Sequence, residues 1–304
     1  MTGEIGFSSL GLPLFGKDAE PRERVLDALF ADGLYDLLEL HLSQRLVTDQ
    51  GWSRQVLIPA ELRRTFRDIA SDVQRRGGRV IFGLGGRYLL DAEKHTPSLI
   101  DARPEARAAR IRLLREAIEL ASEIGSRALI FLGGPSAEAL ASNKHQGDAW
   151  KAFEEAIGAL LPHAEANNVV LAPEGHSKHI FATVRDLRRL RETFPSPHLG
   201  FTADVVHQSI TEEQPLDRVL HEVATFATHV QLDNVTRESC RPGVPIVHTK
   251  LDESGAIDIP RALRSLRGGG YGGALSVEFL REDFPGVDAL AYCRDIGAWL
   301  RSLT

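Results

Sequence analysis

Short apolar runs alternate with helix-patterned stretches from one end of the chain to the other, and this alternation limits the fold more than any other feature. The first run, Glu4-Ile5-Gly6-Phe7-Ser8, leads to Val25, Leu26, Leu29 and Phe30 at helical spacing between Pro21 and Ala31, with Gly33 as the stop. The unit then repeats. Run 35–41 precedes a predicted helix over 60–76, run 79–84 one over 104–124, run 128–132 one over 148–167, and run 169–174 one over 183–194. Run 199–204 precedes a helix over 216–226, run 228–234 one over 259–266, and run 274–279 one over 287–303. Alternation of this kind builds a parallel sheet covered by helices. With eight units in 304 residues, the expected architecture is α/β, a single (β/α)8 TIM barrel spanning 1–304 as one domain. The competing arrangement, an open doubly wound sheet, calls for a glycine fingerprint after its first strand, and Ser8-Ser9-Leu10-Gly11-Leu12-Pro13 is not GxGxxG. Gly83-Leu84-Gly85-Gly86 does follow a strand, but it reads as a tight turn before it reads as a phosphate site.

One run carries polar side chains where a barrel needs apolar ones. In Thr228-His229-Val230-Gln231-Leu232-Asp233-Asn234, residues 229, 231 and 233 share a face, because side chains alternate along a strand. Polar groups pointing into a core cost several kcal/mol unless hydrogen bonds, water or a metal satisfy them. Three other runs end on acids, at Glu174, Asp204 and Glu278. In a barrel the C-terminal strand ends form the rim that carries catalytic groups. Neighbouring strands stand about 4.8 Å apart, so successive strand ends can surround one ion. Three carboxylates and an amide oxygen make a hard donor set suited to one divalent cation, Mn²⁺ or Mg²⁺ first, with Co²⁺ or Zn²⁺ also able to bind. The alternative is that each acid caps its own strand or the helix that follows.

Composition removes several classes of function. The apolar fraction of 43% supplies a large core, and a formal charge of −6 offers no basic footprint for nucleic acid. Arginines crowd the stretch Arg185-Asp186-Leu187-Arg188-Arg189-Leu190-Arg191, but an acid and leucines interleave, as on a solvated amphipathic helix. Cys240 and Cys293 are the only thiols and have no CxxC spacing, so no disulfide framework is expected. The opening Met1-Thr2-Gly3-Glu4 lacks a basic leader and no run approaches membrane-spanning length, so the expectation is a cytoplasmic enzyme without a membrane partner.

The ordered set Pro173-Glu174, Asp204-Val205-Val206-His207, His229-Val230-Gln231 with Arg237, and Val277-Glu278, together with Leu38-Glu39-Leu40-His41 on the second strand, resembles the xylose isomerase-like barrel superfamily. Within it, the set is similar to the sugar phosphate isomerase/epimerase group, which includes hydroxypyruvate isomerases and ketose 3-epimerases. The resemblance implies a metal set of Glu174, Asp204, Gln231 and Glu278. Gln231 matches the hydroxypyruvate isomerase-like members, where the epimerases usually carry His. It further implies proton transfer beside a carbonyl, with Glu174 and Glu278 as base and acid. Arg237 would contact substrate oxygens and His207 would bind substrate or relay a proton. The implied partner is a small carbohydrate or keto-hydroxy compound, and barrels of this group are often homo-oligomers.

His229 is read as a support for Gln231 or as a satisfied core histidine. His176 and Lys178, just past Glu174, form a cationic pair placed for an anionic substrate, or a solvated loop. One departure bears on substrate. After Glu238-Ser239-Cys240-Arg241-Pro242-Gly243 the chain runs on through 244–255, a longer rim loop containing His248 and Lys250. Loops at this face shape specificity. A metal-dependent lyase or dehydratase on a sugar-derived or glycoside substrate therefore stays open, as does a non-catalytic carbohydrate-binding barrel.

Overall fold

A computed structural model describes residues 3–15, 18–42, 58–84, 98–135 and 146–303. The strands are β1 (Ile5–Ser8), β2 (Leu37–Leu42), β3 (Arg79–Leu84), β4 (Ala128–Phe131), β5 (Val170–Gly175), β6 (Thr202–Asp204), β7 (His229–Leu232), β8 (Asn234–Val235), β9 (His248–Thr249) and β10 (Ala274–Val277). Eight of them close into a barrel in the order β1-β10-β7-β6-β5-β4-β3-β2, while β8 and β9 form a separate two-stranded ribbon. The expected (β/α)8 barrel is the observed fold. Its helices among the described residues are α1 (Arg22–Phe30), α2 (Ala60–Arg75), α3 (Pro104–Glu123), α4 (Gln146–Ala166), α5 (Val184–Thr193), α6 (Val205–Thr211), α7 (Leu216–Val223), α8 (Ile259–Gly268) and α9 (Ala289–Leu303). No helix among the described residues is long and apolar enough to cross a membrane.

The chain divides into two compact units, Met1–Leu40 with Ser71–Val80 and Thr202–Thr304, and His41–Ala70 with Ile81–Phe201. In the first, parallel ladders set one rung through Gly6, Ser276, Gln231 and Asp204, which are paired strand to strand. On the other side of β1, Gly6 pairs with Leu37 and Ser8 with Glu39. Gly6 is required there by close approach: a Cβ would lie 3.0 Å from Ser276 Oγ and run into the Leu37 side chain. Burial on α8 falls on Ile259, Ala262, Leu263 and Leu266, the spacing of one helix face. The Asp258 side chain starts that helix by accepting from Arg261 N at 2.9 Å. Phe279, just past β10, stacks on Phe284 with centroids 4.7 Å apart and lies 4.6 Å from the ring of Tyr292.

The second unit is built on β3, β4 and β5, with Phe82 level with Leu129 and Leu129 level with Leu171. Its apolar contacts run Phe153 to Phe181 to Phe201, at 5.8 and 5.6 Å between centroids. Thr183 and Asp186 form a reciprocal capping box at the start of α5, and the Thr183 cap is worth about 1 kcal/mol. Gly83 leaves the space that His41 fills, since a Cβ would come within 2.5–2.9 Å of the imidazole.

Two features differ from the sequence expectation. A short helix, α6, follows β6 at once, because Asp204 ends the strand and caps the turn after it. The long loop after residue 237 folds back as β9 and pairs antiparallel with β8, Asn234 opposite Thr249 and Val235 opposite His248. The Gly85-Gly86 turn lies outside the described residues.

Candidate functional site

β7 holds the centre of the site. Because its alternate residues face one side, His229 and Gln231 project together, and both are fully buried. Glu39 on β2 is also fully buried and meets them both. Its Oε2 lies 2.7 Å from His229 Nε2, and its Oε1 accepts a hydrogen bond of 2.9 Å from Gln231 Nε2. A buried carboxylate needs such donors, since desolvation is costly when charge is not compensated. His229 is thus neither loose nor solvent-facing: it supports the same carboxylate that holds Gln231.

The other oxygen of that amide is different. Gln231 Oε1 is buried and has no hydrogen-bond partner among the described residues. Its strand neighbours at the same level are Asp204 on β6 and Ser276 on β10, and Ser276 Oγ is likewise buried without a hydrogen-bond partner. Asp204 is 1% exposed and its Oδ1 accepts from His207 N at 2.7 Å. The capping role considered for the strand-end acids therefore holds for Asp204, through one of its two oxygens. Glu278 is half-buried one residue beyond β10, its N–H donating to Leu232 O at 2.9 Å. A carboxylate, an amide oxygen and a second carboxylate thus sit at the ends of β6, β7 and β10. Oxygen donors of this kind fit a hard divalent cation.

Glu174 lies near the end of β5, and the turn that follows is well bonded. His176 Nδ1 accepts from Lys178 N at 3.1 Å, and His179 Nδ1 accepts from Gly134 N at 3.1 Å. The His176 and His179 rings meet edge to face at 4.5 Å. Lys178 is exposed. His207, expected as a substrate contact, is buried on α6, three residues after Asp204.

The ribbon after β7 positions the remaining groups. Asp233 is 6% exposed, and His248 of β9 faces it with Nε2 3.7 Å from Asp233 Oδ2. His248 Nδ1 lies 2.7 Å from Asp283 Oδ2, which ties the ribbon to the turn after β10. Asn234 fixes the return of the chain, its Oδ1 accepting from Val235 N and Ile257 N at 3.0 Å each. Arg237 stands exposed at the ribbon's turn. Sequence reasoning gave no role to Glu39, although the signal was present: it is a charged, fully buried residue in a strand whose other members are four leucines and His41.

Comparison with known proteins completes this picture. The family model described as xylose isomerase-like TIM barrel matches residues 48–303. The chain belongs to this family. Among solved structures, this xylose isomerase-like barrel resembles an L-ribulose 3-epimerase at TM-score 0.72 and 18% identity, over 100% of this chain and 94% of that one. It resembles the 3-keto-D-glucoside 4-epimerase YcjR from E. coli at TM-score 0.71 and 18% identity, over 99% and 100%. The IOLI protein with a binding zinc atom gives TM-score 0.71 at 14% identity, over 99% and 97%. Identities this low carry the fold and leave substrate to the residues themselves. No curated protein matches the chain.

Proposed function

We propose that this barrel, as one domain over 1–304, is a divalent-metal-dependent sugar isomerase or epimerase that moves a proton at the carbon beside a carbonyl, through an enediolate. The observation that carries the reading is the buried, unpartnered Oε1 of Gln231 between Asp204 and Ser276. A buried amide oxygen costs about 1–3 kcal/mol when nothing meets it, and a cation held by the neighbouring acids removes that cost. Glu174, Asp204, Gln231 and Glu278 would hold the ion, with Mn²⁺ or Mg²⁺ suited to the oxygens and Co²⁺ or Zn²⁺ also able to bind. When bound, the ion polarises the substrate carbonyl and lowers the cost of the enediolate.

The side chains do the rest. Glu174 and Glu278 act as base and acid, each taking or returning a proton at the substrate carbon. His207 holds a substrate hydroxyl or passes a proton, and Arg237 binds substrate oxygens. His176 and Lys178 supply donors to an anionic or oxygen-rich end of the substrate. The family resemblance and the named epimerases support a small carbohydrate or keto-hydroxy substrate.

The test is elemental analysis of the purified wild type beside an E174A/E278A double variant, followed by a keto-sugar screen read by mass spectrometry. About one equivalent of divalent metal, lost in the variant, and products of unchanged mass are expected. Full metal content in the double variant would refute the ligand set. A loss of mass on turnover would replace isomerisation by elimination, as in a lyase or dehydratase. Absence of metal in the wild type after reconstitution would leave a carbohydrate-binding barrel.

A further inference from the structure

We infer that Glu39 is a positioning residue, which turns the Gln231 side chain so that its oxygen, and not its amino group, faces the cation. The inference rests on the metal reading above and deepens it. A glutamine amide has nearly the same shape at its two ends, so packing alone does not choose which end faces a site. Only one end can ligate a cation, because the amino group carries hydrogens and no lone pair free to bind. The choice falls to whatever hydrogen-bonds the other end.

Here that partner is a carboxylate, which accepts and cannot donate. Glu39 Oε1 accepts from Gln231 Nε2 at 2.9 Å, and all three side chains of the trio are fully buried, so no bulk water competes for either end of the amide. Turning the amide over would set oxygen against oxygen at the same distance. Glu39 in turn is held by His229, whose Nε2 lies 2.7 Å from its Oε2, so the carboxylate cannot swing away from the amide. The rung Asp204, Gln231, Ser276 then finds the amide oxygen without a hydrogen-bond partner, on the side the Glu39 bond leaves open. His at this position would present a nitrogen by ring geometry. Gln needs the orienting acid, and β2 supplies it.

The experiment measures Mn²⁺ affinity by calorimetry on metal-stripped wild type, E39Q, Q231E and E39Q/Q231E, with the thermal midpoint of each apo protein recorded alongside. In E39Q the amide at position 39 offers either oxygen or amino group to Gln231, so both orientations of Gln231 are populated. Affinity should fall about tenfold to a hundredfold, the range for groups that orient metal ligands, while the apo midpoint stays near wild type. E39Q/Q231E should recover most of the loss, because a carboxylate at 231 presents an oxygen whichever way it turns. Wild-type affinity in E39Q would overturn the positioning role and leave the cation reading standing. A wild type that binds no Mn²⁺ would sink both. A loss in E39Q that Q231E fails to rescue, with a lowered apo midpoint, would make Glu39 a structural residue only. Should E39Q not fold, the Gln231 side-chain NH2 signal of the wild type, assigned by its loss in Q231E, decides the matter. It should stay hydrogen-bonded and slow to exchange before and after Mg²⁺ is added, and a signal that shifts to a free amide would refute the lock.

Discussion

Replacing His229 by leucine tests whether the buried trio is an energetic unit. Leucine is close to imidazole in size, so the cavity term is small and the change is chiefly the loss of a donor. The carboxylate that loses it is fully buried, so water cannot take the place of the imidazole at 2.7 Å from Oε2. A hydrogen bond to a charged group contributes about 1.5–3 kcal/mol, and leaving a buried charge less compensated pushes the cost to the upper part of that range. The expected destabilisation of H229L is about 2–3 kcal/mol. In urea melts, with a slope of about 3 kcal/mol per molar, the midpoint should fall by about 0.7–1 M. E39L will also destabilise, since Gln231 Nε2 then loses its acceptor. The informative quantity is the double variant. H229L/E39L should be less destabilised than the sum of the single variants by about 1.5–3 kcal/mol, the scale of coupling between groups in one buried network. Costs that add to within about 0.5 kcal/mol would refute the trio as a unit, because independent sites behave in that way.

The two thiols should behave differently. Burial pushes the Cys293 thiol up to about 12. It therefore stays protonated at pH 8, and the thiolate is the reactive form. Cys240 is partly exposed, with Sγ 2.8 Å from Ser209 Oγ. Ellman's reagent should titrate one thiol of the native protein, lost in C240S, and the second only on unfolding; two fast thiols would contradict the burial of Cys293. At the ribbon, N234A removes the acceptor for Val235 N and Ile257 N and the donor to Ile257 O. It should cost about 1–3 kcal/mol and speed hydrogen exchange at Val235 and Ile257 while leaving Leu171 on β5 unchanged; equal exchange in variant and wild type would show that Asn234 does not hold the ribbon.

The barrel was legible from the chain because its signal is local and repeated. Each strand needs only a short apolar run, each helix only an apolar face such as Ile259, Ala262, Leu263 and Leu266, and eight repetitions leave little else to build. The strand-end acids were legible for the same reason, since a polar residue ending an apolar run is visible without its partner. Even α6 had a local sign, in an aspartate that both closes a strand and caps the next turn. The β8–β9 ribbon was less readable, its pairing resting on two residues from each strand.

What tertiary structure alone decided is which way the polar groups turn. His229, Gln231 and Glu39 all stand in the sequence as inward polar residues, yet 190 positions separate His229 from Glu39 and 192 separate Gln231 from it. No periodicity spans such a gap. Closure of the sheet places β1 and β10 between β2 and β7 in the strand order, and the side chains reach across the interior to one another. Hydrogen bonding there has no water to fall back on, so a single carboxylate settles the orientation of an amide that composition, spacing and strand pattern leave undetermined.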